Sequence, residues 1–552
     1  MSYRRSALQA VANQTHSRSG LFFTSPLLIA ALLITASSAL AEQSTQKQAS
    51  PEWPAAAESS SGSSSTEAAT APDAPRQVLP YDPQQTGPRA PLAPCDVVAP
   101  DKADASVFTW PRYSKLRFNE DYSGLVGRKQ IPYRDWLDRL KYLPLNDKGD
   151  VYATIGGQLR VRAEGYNNFN FGRPQDDDDG FYLLQRYFLN ADIHVGPNLR
   201  FFVQTRTALA NDRDLVGRRS ATLHDDFDIL NAFADVTVPI NDDVDLMFRG
   251  GRFEQTYGQG RQLGCRDWSQ LRRPKDGGLV RLRGPNWWVD GFYAMRTASE
   301  KYDWTDHDED QRMFGFYAHL RKPASLPLTV EMFFFGDHRD TAPLDVNRNT
   351  VGGRLFGVVP NTALKWDIEG GYQFGDAEIE VDAFFIAIEC RYDWKEVTAK
   401  PWVVAGFDYA SGDDDLTDNV SKTFEPISPY GHYYFGFADM IGRQNIIHPW
   451  FQVGAQPIKP LAVALGTHFF FAAQPEDGIY NACSCGSRIR PGAADADRYM
   501  GAELDLSFKL KLDHHTVIHG GYAHFFHGPY ISQTPGGSED VGRWWMQFQY
   551  TF

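Results

Sequence analysis

Cysteine is scarce in this chain of 552 residues: five in all, Cys95, Cys265, Cys390, Cys483 and Cys485. That excludes a disulfide-built scaffold at this length. Cys483-Ser484-Cys485 has no second pair to complete a zinc site, so no metal is expected there. Long apolar runs are also missing beyond the first 41 residues, and mean hydropathy is −0.43, which excludes a bundle of membrane helices. A positive balance is absent as well. The net charge of −14 argues against nucleic acid as a partner. No GxSxG or HExxH string occurs, no paired catalytic carboxylates stand out, and no cofactor motif is recognisable, so catalytic residues and cofactors are expected to be none.

Aromatic residues and glycine are abundant instead, with 37 Phe, 25 Tyr, 13 Trp and 47 Gly. A chain that is aromatic-rich yet polar on average suits a transmembrane β-barrel, in which half of each strand faces water. The single apolar run, "LFFTSPLLIAALLITASSALA", follows Arg4, Arg5 and Arg18 and ends on Ala39-Leu40-Ala41. It has the form of a secretory signal peptide over 1–41, with cleavage before Glu42. Residues 42–105 are rich in Ala, Ser, Pro, Glu and Gln and hold too little apolar surface for a core, which predicts disorder. Residues 106–150 are aromatic and charged, and predict an ordered lead-in with one short helix near Trp136–Tyr142.

From Val151 to Phe552 the pattern has period two. Leu189, Ala191, Ile193 and Val195 alternate with Asn190, Asp192 and His194, and Phe201, Val203 and Thr205 alternate with Arg200, Gln204 and Arg206. Tight turns such as Gly196-Pro197-Asn198 and Asn241-Asp242-Asp243 alternate with longer polar loops: "GRPQDDDDG", "TDHDEDQR", "ASGDDDLTDN" and "NACSCGSRIRPGAADADR". The last strand, "GRWWMQFQYTF", puts Trp544, Met546, Phe548, Tyr550 and Phe552 on one face and ends on an aromatic. Short turns, long loops and an aromatic last strand together predict a bacterial outer-membrane β-barrel over 151–552. About 400 residues at roughly 9–11 per crossing strand, plus connections, gives about 16–20 strands and a water-filled lumen.

Parity then assigns the lumen face. On "QLRVRAEGY", Leu159 and Val161 face lipid while Arg160, Arg162 and Glu164 face inward. The same alternation sends Arg186, Asp192, His194, Arg200, Arg206, Arg249, Arg252, Arg261, Arg354, Glu369, Glu389, Arg391, Asp505 and Arg543 to the lumen. Arginine suits a path for carboxylates, because its planar fork pairs with them and stays charged, and nearby acids keep any one site from trapping the ligand. The acidic runs Asp176–Asp179 and Asp413–Asp415 are read as solvated loop tips, with Ca²⁺ binding in the loops as the alternative. The stretch "DHHTVIHGGYAHFFHG" has five His, but His515 and His519 on one strand stand about 13 Å apart, too far to share an ion.

Five stretches resemble the alginate export family of outer-membrane barrels: "LRFNEDYSGL…LKYLPLND" (116–147), "RGGRFEQTYGQGRQL" (249–263), "WWVDGFYAM" (287–295), "GHYYFGFADMIGRQNI" (431–446) and "GAELDLSFKLKL" (501–512). Together they cover about 110–552. The resemblance implies an 18-stranded barrel that carries an anionic polysaccharide outward through an Arg- and Lys-lined lumen, with a periplasmic helical-repeat secretion protein as partner and outer-membrane lipid around a monomeric barrel. It places Arg160 and Glu164 on the first strand, Arg252, Glu254 and Arg261 in the Gly-Arg motif, His432, Asp439 and Asn445 in the later loop, and Glu503 and Asp505 near the end. His194 aligns with a lumen arginine of the exporter, and Leu230 or Asn231 stands where another would be. The alternative reading is a porin for uptake of small anionic solutes.

Overall fold

The computed structural model describes residues 108–172, 178–211, 213–215, 223–321, 328–340, 345–376, 378–482 and 488–552. The proposed leader, the Ala/Ser/Pro-rich segment, Cys95, Cys483, Cys485, Asp176 and Asp177 lie outside them.

Eighteen long strands form one closed antiparallel barrel. They are β1 (Val151–Asn167), β2 (Gly180–Val195), β3 (Leu199–Asn211), β4 (Asp225–Pro239), β5 (Asp245–Phe253), β6 (Lys275–Gly284), β7 (Trp287–Ala298), β8 (Asp306–Arg321), β9 (Leu328–Arg339), β10 (Val346–Val358), β11 (Leu364–Gly375), β12 (Glu380–Asp393), β13 (Trp402–Ala410), β14 (Ile446–Ile458), β15 (Leu461–Ala472), β16 (Tyr499–Lys511), β17 (Thr516–His527) and β18 (Val541–Thr551). Each pairs with its sequence neighbour, and β18 returns to β1 in the register Arg160↔Gln549 and Glu164↔Trp545. Closure leaves no free sheet edge, so every ladder N–H and C=O is satisfied where water is absent. Among the described residues no helix is long and apolar enough to cross a membrane.

The side chains sort by parity, as the alternation predicts. On β1, Arg160, Arg162 and Glu164 are buried inside, and on β18 Trp544, Met546 and Phe548 are exposed outside while Arg543 and Trp545 are buried. Phe181, Leu189, Phe201, Val203, Phe316, Phe451 and Leu506 belong to the same exposed apolar belt, the surface that lipid covers.

Connections alternate in length. The β2–β3, β6–β7 and β14–β15 links are only two or three residues, whereas 254–274 joins β5 to β6, 411–445 joins β13 to β14 and 473–498 joins β15 to β16. All long links emerge at one end. One expectation is corrected here: "TDHDEDQR" is not a loop, because Asp306–Arg321 is continuous strand, with His307 paired to Thr297. Asp306 and Asp308 continue the β7–β8 ladder, while 309–311 bulge out of it between Asp308 and Arg312. The lead-in has its turns where the sequence places a helix, but the element is a 3₁₀ helix (Leu137–Lys141), with two shorter ones at Arg117–Asn119 and Ser123–Leu125.

Among the described residues, the lead-in and two long loops fold into the bore. The lead-in enters from the turn end: Arg117 donates to the Phe552 carbonyl at 2.7 Å, Lys141 to the Ile155 carbonyl at 2.9 Å, and Phe118 packs edge-on against Phe202 and Phe233 of the inner wall. The loops 254–274 and 411–445 fold in from the other end, and their Leu263, Cys265, Ile427, Tyr430, Phe435, Phe437 and Ile441 join the buried cluster.

Candidate functional site: an arginine-lined lumen crossed by a strap

Arg160 and Arg186 stand directly opposite each other on β1 and β2. Two guanidiniums side by side repel, so something must supply acceptors. The loop 254–274 does. Arg160 donates to the carbonyls of Asp267 (2.7 Å) and Ser269 (3.0 Å), Arg162 to that of Trp268 (2.8 Å), and Arg186 to the Asp267 carbonyl (2.9 Å) and carboxylate (2.9 Å). Arg206 donates to the Arg272 carbonyl at 2.8 Å and to Asp225 and Asp228 at 2.5 and 2.8 Å. Burial would raise the Asp267 carboxyl, but Arg186 and Arg272 hold it well below the usual carboxylate range. The four arginines are only 2%, 3%, 0% and 0% exposed, so they meet loop oxygens rather than bulk water.

The far flank of the same loop reaches the opposite wall. Arg261 donates to Glu369 at 2.8 Å and Asp367 at 3.2 Å on β11. Asp367 also takes Arg354 of β10, which pairs with Glu331 of β9 at 2.7 Å. Tyr257 stacks on Tyr317 at 4.5 Å and donates to Asp290 at 2.9 Å. The loop is therefore a strap fixed at both ends across the lumen.

The second loop is held by acceptors on β16 and a donor on β18. The Glu503 carboxylate accepts the Ala438 N–H at 2.7 Å, and Asp505 accepts that of Phe437 at 3.1 Å. Arg543 donates to the Phe437 carbonyl at 2.7 Å and to Glu164 at 2.9 Å, and pairs with Asp439. His432 lies 2.8 Å from Asp439 and stacks on Trp268 of the strap with ring centres 3.6 Å apart. Burial lowers His432 against the pull of Asp439, while Asp439 is held far below its ordinary range by His432 and Arg543 despite burial. Asn445 closes the loop, donating to the Gln474 and Gly478 carbonyls at 2.9 Å each. Gly436 has a φ of +77°, and a Cβ there would collide with the Glu503 carboxylate. Gly436→Ala is thus expected to detach this loop tip at a cost of about 1–3 kcal/mol of local stability. Limited trypsin digestion of the folded barrel checks it, with new cleavage after Arg443 expected and an unchanged digest counting against it.

Three further predicted arginines form bidentate pairs with wall carboxylates, Arg200 and Arg249 nearer the turn end and Arg252 beside the long loop 254–274. Arg249 holds Asp235 (2.7 and 2.8 Å), Arg200 holds Asp192 (2.8 and 2.6 Å) and Arg252 holds Asp276 (2.7 Å twice). His194 sits 3.2 Å from Asp192 and stacks on Tyr152. Glu254 accepts from Arg272 at 2.6 Å and from Asn231 at 3.0 Å. With one exception, the predicted site residues lie on the inner wall or on a segment folded into the lumen. Arg252, expected in the lumen, stands an odd number of residues from Arg249 and pairs with Ala232 and Asp276 on the opposite face, beside the long loop 254–274. Arg160, Arg162, Glu164, Arg186 and Arg543 come together around the strap, whereas Asp192, His194 and Arg249 form a separate tier nearer the turn end. Sequence parity missed Asp267, Trp268, Arg272 and Arg443, because they sit on loops where period two carries no information. The Arg/Asp-dense string "CRDWSQLRRPKD" was the signal available.

Beside the strap a small cavity of about 40 Å³ remains, lined by Gln259, Glu389, Arg391, His432, Tyr434, Trp450 and other wall residues. Its lining mixes aromatic faces, one arginine and carboxylates, and it has room for water only.

Comparison with known proteins places the chain. No curated protein matches it. Among solved structures, the crystal structure of Acinetobacter baumannii OccAB1 is similar with a TM-score of 0.50 at 12% identity, covering 72% of this chain and 96% of that one. Pseudomonas aeruginosa OccK8 (OprE) matches with a TM-score of 0.48 at 12% identity over 72% of this chain and 98% of that one. At such identity the first likeness speaks for the barrel fold alone. The family model for alginate export matches residues 151–542, from the first strand into the last. This chain belongs to the alginate export family and is a β-barrel protein of the bacterial outer membrane.

Proposed function

We propose that this barrel is a monomeric channel exporting an anionic, uronate-like exopolysaccharide, with the row Arg160, Arg162, Arg186 and Arg206 as its principal carboxylate path. One observation carries the reading: the guanidiniums of Arg160, Arg162 and Arg186 are already paired with the carbonyls of 267–269 and the Asp267 carboxylate, and that of Arg206 with the Arg272 carbonyl of the same loop. Those oxygens occupy the positions that sugar carboxylates would take, so a passing polymer exchanges one set of charge-assisted bonds for another when the strap yields. The pairs Arg249–Asp235 and Arg200–Asp192 lower the net field of the next tier, which keeps any single site from binding too tightly.

A deletion strain is expected to retain polymer in the periplasm, and Arg160→Glu/Arg162→Glu to reduce secretion at least several-fold with the barrel still assembled. Normal secretion by the clean deletion strain overturns the proposal. The second reading is uptake of small anionic solutes, for which the same inward-facing arginines would serve as the anion path. Under that reading the deletion strain secretes normally and grows slowly on the solute.

A further inference from the structure

We propose a divalent-metal site at the turn end of the barrel, made by Asp135 of the lead-in with His514 and His515 of the β16–β17 turn. Three ligand atoms, one from each residue, lie within 4.8 Å of one another. His514 Nε2 is 2.7 Å and His515 Nε2 2.8 Å from the same carboxylate oxygen, Asp135 Oδ2.

The hydrogen bonds behind these atoms assign their roles. His515 Nδ1 lies 2.6 Å from the Thr551 carbonyl oxygen, which can only accept, so Nδ1 carries a proton. Tyr113 Oη approaches the same nitrogen at 3.0 Å. A neutral His515 then presents the lone pair of Nε2 to Asp135, two acceptors facing each other at 2.8 Å. Either a second proton or a metal cation resolves that contact, and Nδ1–H donated to a backbone carbonyl is the arrangement that orients a metal-ligating histidine. On the other side, Asp135 Oδ1 is used up by the backbone N–H of Leu137 (2.8 Å) and Asp138 (3.3 Å), which leaves Oδ2 aimed at the imidazoles. His514 Nε2 makes no hydrogen bond among the described residues despite its proximity to Asp135. The nearby Arg134 charge is met by Asp138, which it holds at 2.8 and 3.0 Å.

Two imidazoles, one carboxylate oxygen and an open fourth position suit a tetrahedral Zn²⁺. His514 and Asp135 side chains are 31% and 27% exposed, so water reaches that position. Tetrahedral ligands stand about 3.3 Å apart, so the carboxylate would retreat by about half an ångström. The turn itself is stiff, since Asp513 accepts the N–H of His515 and Thr516 at 2.7 Å each. A bound ion would tie the lead-in, and with it the Phe118 plug, to the wall. His515 and His519 do not share this ion. The second histidine comes from the adjacent position, and the carboxylate from a segment 379 residues earlier in sequence, so histidine spacing along one strand could not disclose the site.

The test uses the full-length protein without a histidine tag, stripped with chelator, and Zn²⁺ alone as probe. Wild type is expected to bind one equivalent at micromolar concentration or below, and Asp135→Asn and His514→Ala to weaken that binding at least tenfold. Folding is checked by the heat-modifiable shift of barrel migration on gels. Zn²⁺ is also expected to slow tryptic cleavage after Arg128 and Arg139 in wild type but not in Asp135→Asn. No Zn²⁺ binding by wild type overturns the proposal, as does unchanged affinity in both folded variants. Should the variants fail to fold, Co²⁺ added to wild type decides alone: intense tetrahedral visible bands support the site, and a weak octahedral spectrum overturns it.

Discussion

Replacing residues 256–271 by a short Gly/Ser linker is expected to raise single-channel conductance several-fold and to shift selectivity towards anions. The reason is electrostatic as well as steric. The strap crosses the lumen from Arg160 and Arg186 on one wall to Glu369 and Asp367 on the other, through Asp267 and Arg261. Its removal takes away the carbonyls and the Asp267 carboxylate that now cover the guanidiniums of Arg160, Arg162 and Arg186. These three arginines, on adjacent strands and within a low-dielectric wall, then face water and focus their field on the bore. Arg206 keeps Asp225 and Asp228 and contributes less. Planar-bilayer recordings in a salt gradient measure both quantities. A variant that conducts like wild type would show that the lead-in or the 411–445 loop, not the strap, limits flow.

The second large effect is on stability. Arg354→Met is expected to cost about 3–5 kcal/mol, because it removes the shared guanidinium from two buried carboxylates at once and leaves Glu331 only His319 as a charge partner among the described residues. Arg354 pairs with Glu331 at 2.7 Å and grips Asp367 through Nε, and all three side chains are buried. Met restores the volume but not the charge. Asp367 keeps Arg261 and Gln259 (3.2 Å each), so part of the loss is recovered if the strap shifts. Urea titration of the barrel, followed by its gel mobility, reads the change. A loss below about 1 kcal/mol would mean that water enters and solvates Glu331 and Asp367.

The wall was legible in the sequence because period two is a strong code when lipid lies on one side and water on the other. Arg160, Arg186, Arg206, Arg249 and Arg543 occupy the inner face for that reason alone. What fills the bore was not legible. Trp268 and His432, 164 residues apart, stack at 3.6 Å, and Phe118 of the lead-in meets Phe233 of β4, yet loops have no period from which to read direction. Parity also left open what each arginine meets. For Arg160 and Arg186 the partner is the strap, whereas for Arg249 it is the neighbouring Asp235, a cross-strand pair that adjacent sequence could have suggested. The stretch "TDHDEDQR" failed differently: its charges suggest a loop, but a strand beyond the bilayer has water on both faces and no apolar alternation to display.

The account turns on whether guanidiniums beneath the strap take sugar carboxylates. The most direct measurement is the current through single strap-replaced channels while uronate oligomers are added to the turn side. Transient blockades are predicted, more frequent with oligomer concentration, suppressed by high salt and lost in Arg160→Gln/Arg186→Gln. Neutral glucan oligomers of equal length blocking as often, or uronate oligomers not blocking at all, would contradict it.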